Sequence, residues 1–251
     1  MKKRFIYFVS ILCLLTVGQR SVLAQGSVRA LSFDGNDWIR LPLLSSLNGQ
    51  QQVTFSCWVR YGDPSVNQTL FTHWVNSVQP VGANTGFYVT LFNNRLVANT
   101  NAGLGMQTAA EPLVPGNWYH VAVVFDGTLA TDAERMRMYV NGEQQLVDFT
   151  FQTVPVPTAI GNRAVITQIG ARRGNSNDLI DYVRGGVLDE MALWYRALSP
   201  TEIRHKMCEK LTGTEPGLVA YYRMDEGADN TCPGGQDVCD ASGNGNHGIK
   251  F

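Results

Sequence analysis

The sequence predicts an all-β protein, a two-sheet antiparallel sandwich with one short helix after its last long strand. Three observations carry that reading. Short runs of alternating apolar and polar residues recur along the chain. Gly, Asn, Asp and Pro punctuate them at turn-like intervals, and only one segment has helical spacing.

The alternation is clearest in VTFSCWVRY. There Val53, Phe55, Cys57 and Val59 share one face, and Thr54, Ser56 and Trp58 the other. In WYHVAVVFDG, Tyr119, Val121, Val123 and Phe125 line up in the same way. The runs at 30–33, 38–41, 69–74, 86–92, 95–100, 135–140, 144–151, 165–169 and 186–194 also read as strands. Asp34-Gly35, Asn93-Asn94 and Asn141-Gly142 separate strands, and Asn-Gly ahead of a strand favours a hairpin because both residues tolerate positive φ.

The helix starts at Ser199-Pro200-Thr201-Glu202, which supplies an N-cap, a proline at the first helical position and the glutamate of a capping box. Ile203, Met207 and Cys208 give it an apolar stripe.

A chain of 251 residues can hold one large sandwich or two small domains. Hydrophobic residues make up 44% and charged residues 16%, enough apolar material for a core. The formal net charge of -1 gives no electrostatic case for binding nucleic acid or an anionic membrane.

Residues 1–24 read as a signal peptide. Met1-Lys2-Lys3-Arg4 is a basic n-region, Phe5 to Val17 an apolar h-region, and Val22-Leu23-Ala24 places cleavage after Ala24. The apolar run falls short of the roughly 20 residues of a spanning helix, which disfavours an uncleaved anchor. The mature chain is therefore expected to be secreted or on the cell surface, through bacterial export, with no stable membrane insertion. Asn67-Gln68-Thr69 is a glycosylation sequon that would matter only in a eukaryotic secretory pathway.

Export gives the cysteines a disulfide reading. With Cys13 removed, Cys57, Cys208, Cys232 and Cys239 remain. Cys232 and Cys239 flank a Pro-Gly-Gly turn, so they are expected to pair locally, leaving Cys57 with Cys208. Four cysteines allow three connectivities, and the sequence does not choose among them. A zinc site lacks both close CxxC spacing and a nearby histidine.

Several segments, taken in order, resemble the LamG-like jelly-roll family, a branch of the concanavalin A-like lectin/glucanase superfamily. ALSFDGNDWIRLP is similar to its opening strand pair, and VTFSCWVRY to its F-T-hydrophobic-x-x-W-V strand. GNWYHVAVVFDG with MRMYVNG resembles its central hairpin, and GGVLDEMALWYRALSPTEI its closing strand and helix. The resemblance covers residues 28–212 and implies a two-sheet antiparallel jelly-roll sandwich. GLVAYYRMDEG and DASGNGNHGIKF resemble the segment that opens such domains. Residues 213–251 then form a linker and either start a second repeat, the favoured reading, or fold back as extra edge strands.

Enzymes of this superfamily need two carboxylates about 5–5.5 Å apart across the sugar bond for retaining hydrolysis. No ExDxxE-type run is present. Asp189 and Glu190 are adjacent, so a regular strand would point them to opposite faces. Asp178 and Asp181 sit in a polar stretch and read as solvated or turn-forming, and His73, His120, His205 and His247 are scattered. No catalytic residue is assigned.

The resemblance implies one structural Ca²⁺, for which Asp34 and Asp189 occupy the matching positions and would supply hard oxygen ligands. The competing reading makes Asp34 an Asx-turn residue and Asp189 a strand residue. It also implies ligand binding on the concave sheet face and rim loops. Trp74 and Tyr88 flank the loop VNSVQPVGANTG and are the aromatic candidates, with Asn76 and Asn84 as polar partners and Arg172 on another rim loop. Packing beneath loops is the competing role for Trp74. Trp58, Trp118 and Trp194 read as sheet packing.

The expectation is a secreted, non-catalytic module binding a glycan or an extracellular protein surface. A concanavalin-like glycoside hydrolase and a structural or adhesion repeat of a cell-surface assembly are the alternatives.

Overall fold

Alternating runs become strands here because each has a face to bury. Val53, Phe55, Cys57 and Val59 are all fully buried in the core between two sheets. The computed structural model describes residues 5–7, 12–13, 22–23, 29–74, 84–101, 105–151, 154–161, 166–174, 178–226 and 232–251.

In chain order the elements are β1 (Phe5–Tyr7), β2 (Leu12–Cys13), β3 (Val22–Leu23), β4 (Arg29–Asp34), β5 (Ile39–Leu41), β6 (Gln52–Arg60), β7 (Gln68–Trp74), β8 (Asn84–Phe92), β9 (Arg95–Asn101), β10 (Met106–Thr108) and β11 (Trp118–Asp126). There follow α1 (Asp132–Arg135), β12 (Met136–Val140), β13 (Glu143–Gln145), β14 (Val147–Asp148), β15 (Ile166–Ile169), β16 (Arg172–Arg173), β17 (Leu179–Ile180), β18 (Arg184–Trp194), α2 (Pro200–Lys206), β19 (Leu218–Tyr222) and β20 (Ile249–Lys250).

The first sheet runs β1-β4-β18-β6-β11-β12-β13, with β19 also on β18. The second runs β14-β10-β9-β8-β7-β15-β5-β20. All pairings are antiparallel, and consecutive strands alternate between sheets in several places, as a jelly roll requires. Phe33, Phe55, Phe71, Phe87 and Phe125 are buried between the sheets. Residues 5–7, inside the leader-like segment, pair with Arg29–Leu31 of β4.

A second core lies on the outer side of the first sheet. Ala122, Val124, Tyr139, Ala192 and Trp194 face it from the strands, and Leu198, Ile203, Leu211, Leu218 and Tyr221 close over them. The helix α2 begins as its sequence predicts, with the Ser199 and Glu202 side chains exchanging capping-box hydrogen bonds. Thr54 fastens the chain entering it, donating to the Arg196 carbonyl at 2.8 Å and accepting from Leu198 N at 3.0 Å. A shorter helix, α1, has its own capping box at Thr131 and Glu134, a signal the strand-centred reading passed over.

The C-terminal segment folds back on both sheets. Residues of β19 pair with Met191–Trp194 of β18, beside the stretch of β18 that β4 occupies. Farther on, β20 pairs with β5, and Phe251 stacks on Trp38 with ring centroids 4.6 Å apart while the Arg40 guanidinium lies 5.0 Å from its centre. Cys232 and Cys239 form a disulfide in between, as the Pro-Gly-Gly turn predicted.

The expected Cys57–Cys208 pairing is corrected. Cys57 is free and sits among Phe55 and Val59 in the inter-sheet core. Its neighbour Trp58 faces the other side of the sheet, where its indole N–H donates to the Met207 carbonyl at 3.2 Å. Adjacent strand residues point to opposite faces, so the strand itself separates the two sulfurs. Cys208 is itself disulfide-bonded.

Candidate functional site

Three of the five predicted ligand-binding residues come together on the outer face of the second sheet. Phe71, Phe87 and Ile169 point into the core, so the residues between them point out. Register places Asn99, Tyr88, Thr72, Gln168 and Arg40 in one row across β9, β8, β7, β15 and β5. Trp74 ends β7 on this same face, and its ring meets Tyr88 edge-on at 4.9 Å and 69°. That geometry suits two aromatic quadrupoles.

Gly86 stands opposite Trp74 with φ +134, and a Cβ there would collide with the His73 carbonyl. Only glycine lets the two strands meet at this corner.

The β16–β17 ribbon brings charge to the aromatic pair. Its register sets Arg172 opposite Ile180, one residue before Asp181. Arg172 Nε donates to Asp181 Oδ2 at 2.5 Å, and the guanidinium carbon lies 5.7 Å from the Tyr88 ring centre. Asn99 Nδ2 donates to the Tyr88 hydroxyl at 3.3 Å. Burial raises the Tyr88 pKa, the Asn99 hydrogen bond and Arg172 oppose that shift, and Asp181 adds to it, so the phenol stays protonated. Along the same row, Gln168 Nε2 is buried and has no hydrogen-bond partner among the described residues.

Asn76 lies outside the described residues. Asn84 belongs to β8 and pairs with Asn101, but its side chain is not among those described. Asp181, Asn99 and Gln168 were not singled out as site residues. In sequence Asp181 reads as solvated or turn-forming, and its spacing of nine from Arg172 gains meaning only once the ribbon register is fixed.

Asp34 and Asp189 do not share a site. Asp34 lies opposite Arg184, five residues before Asp189 on β18, roughly 15 Å at strand rise. The Asp34 carboxylate accepts from Asn36 N at 3.4 Å, the Asx-turn arrangement. Asp189 is buried opposite Trp58, and burial followed by the Glu190 charge pushes its pKa up to about 8. Among the described residues no group of three His, Cys, Asp or Glu side chains is placed to hold a metal.

The expected opposite facing of Asp189 and Glu190 is also corrected. Between the β18 pairs Asp189↔Trp58 and Ala192↔Ser56, β18 spends three steps against two on β6. Glu190 is the extra residue of that bulge, with φ 49, and it turns to the same outer side as Asp189. The resulting acidic pair sits beneath Tyr221, whose hydroxyl donates to Glu190, and near Lys210, 3.8 Å from Glu190 Oε1. The space beside it, lined by Trp58, His120, Trp194 and Tyr221, is water-sized and has no room for a sugar.

The histidines separate by environment. His73 bridges Thr167 Oγ1 at 2.9 Å and Asn48 Oδ1 at 3.0 Å, and burial lowers its pKa to about 4. Burial lowers His120 to about 3, while His247 Nδ1 accepts from Asp240 N at 3.0 Å.

Two antiparallel sheets facing across one core, with an aromatic corner on the outer face of one, define a jelly-roll domain of the lectin-like class. Residues 33–204 match the family model of the concanavalin A-like lectin/glucanases superfamily, and the chain belongs to that superfamily.

A Bacteroides ovatus protein, provisionally described as carbohydrate binding, shares the fold at TM-score 0.60 and 17% identity, covering 88% of this chain. This chain spans 57% of that protein's length. The CBM40 of a Ruminococcus gnavus IT-sialidase, solved with α2,3-sialyllactose, gives TM-score 0.51 and 13% identity over 70% of this chain and 94% of its own. A heptameric SAP-like pentraxin from Limulus polyphemus gives 0.50 and 18% over 69% of this chain and 78% of its own. No curated protein matches the chain in sequence.

Proposed function

We propose that this protein is an exported, non-catalytic glycan-binding module whose site is the Trp74–Tyr88–Arg172 corner. The observation that carries the reading is the aromatic pair on the outer sheet face with the Arg172–Asp181 ion pair against it. Aromatic rings offer an apolar surface to the C–H face of a pyranose, and the partly exposed Arg172 guanidinium and Asp181 carboxylate can hydrogen-bond its hydroxyls, with Asn99 and Gln168 buried beneath. Fold relatives described as carbohydrate binding or solved with a sialylated sugar agree with this reading.

Export is inferred from the basic and apolar leader and from the Cys232–Cys239 disulfide, a bond that oxidising compartments favour. Removal of the leader would take β1 away and leave β4 paired with β18.

The test is glycan-array binding of the leaderless protein beside Trp74→Ala. The expected result is binding to a defined glycan set, lost in the variant while its thermal midpoint changes little. Equal array signals for the two proteins would move the site elsewhere.

A further inference from the structure

Asp181 is held in a costly backbone state. Its φ of 56 lies in the left-handed region, which non-glycine residues enter uncommonly. Two contacts hold it there: its carbonyl accepts from Thr69 N at 2.8 Å, and its carboxylate meets Arg172 Nε at 2.5 Å. The placement ties the cation on the Tyr88 ring to a matching anion, both partly exposed.

Among the described residues, three other charges near the corner are differently placed. Arg40 is three strands from Tyr88 along the row, roughly 14 Å at strand spacing. Arg173 follows Arg172 in the ribbon strand and so points to its other face. Asp178, on the return strand side, is exposed.

Resting on the glycan-binding reading above, we propose that Asp181 sets the selectivity of the corner, which takes neutral sugars and discriminates against carboxylated ones. A ligand carboxylate near Tyr88 meets a net charge of zero from the Arg172–Asp181 pair, and Asp181 repels it at close range. A neutral sugar uses both partners. Its hydroxyls accept from the Arg172 N–H groups left free by Asp181 and donate to the Asp181 carboxylate.

The experiment uses an array pairing each neutral oligosaccharide with its uronic- or sialic-acid counterpart, followed by titration calorimetry on the best pair. Wild-type protein and Asp181→Asn are compared, because asparagine tolerates the left-handed region and keeps the shape. The expected wild-type preference for the neutral member is at least tenfold, and Asp181→Asn narrows it at least tenfold. Raising the salt concentration narrows the wild-type preference as well, an arm that needs no variant.

Equal or tighter wild-type binding of the acidic member overturns the proposal while leaving the glycan site standing. So does a preference that neither salt nor Asp181→Asn alters. Absence of binding to every glycan overturns the underlying reading, and this proposal with it.

Discussion

The Tyr221 hydroxyl of β19 donates a hydrogen bond to Glu190, the extra residue of the β18 bulge. The contact ties the C-terminal segment to the strand carrying buried Asp189 and half-buried Glu190. Lys210 completes the arrangement, bridging Glu190 Oε1 at 3.8 Å and Asp225 Oδ2 at 3.6 Å.

This burial predicts a pH dependence. The folded pKa of Asp189, about 8, lies above its ordinary 3.8, so its contribution is fully present at acid pH and is lost as pH rises toward 8. His73 and His120 act oppositely. Their folded values of about 4 and about 3 lie below 6.5, so they cost stability as pH falls below 6.5. Between pH 6.5 and 8, Asp189 alone of the three titrates. Denaturant midpoints should fall across that window, and Asp189→Asn should flatten the profile. An equally steep variant profile would show that another group is responsible.

The disulfide predicts a local effect. Replacing Cys232 and Cys239 by serine should cost about 2 kcal/mol, the loop-closure term for so short a ring. Urea unfolding of the double variant measures the loss. Hydrogen exchange should place it in 232–251 and not in the inter-sheet core.

Phe251 stacks on Trp38 and has the Arg40 guanidinium over its ring, and its backbone exchanges two hydrogen bonds with Trp38. Phe251→Ala should cost about 1 kcal/mol. Amide exchange should speed up at residues 38–40 and 248–250, with β6 and β11 unchanged. Uniform acceleration would mean that this edge is coupled to global unfolding.

Much of the fold was legible because alternation reports which face is buried. VTFSCWVRY and WYHVAVVFDG became β6 and β11, paired in register from Trp118↔Arg60 to Asp126↔Gln52. The capping residues Ser199 and Glu202 fixed the start of α2. The bulge was not legible, since Glu190 becomes the extra residue only through the register of β6 against β18. Cys57 misled for a related reason: an even cysteine count suggests pairing, while its position beside Trp58 on a strand decides which side the sulfur faces.

The candidate site was half legible. Trp74, Tyr88 and Arg172 were visible as aromatics and a cation beside loops. Asn99 and Gln168 join them only through cross-strand register, and Asp181 only through the ribbon.

Glycan binding at the Trp74–Tyr88 corner can be observed residue by residue. The most direct measurement is amide chemical-shift mapping of the leaderless protein titrated with the strongest array ligand. Saturable shifts concentrated at Thr72, Trp74, Tyr88, Asn99, Arg172 and Asp181 are the expected result. Shifts centred on Glu190 and Tyr221 across the first sheet, with the corner silent, would contradict it.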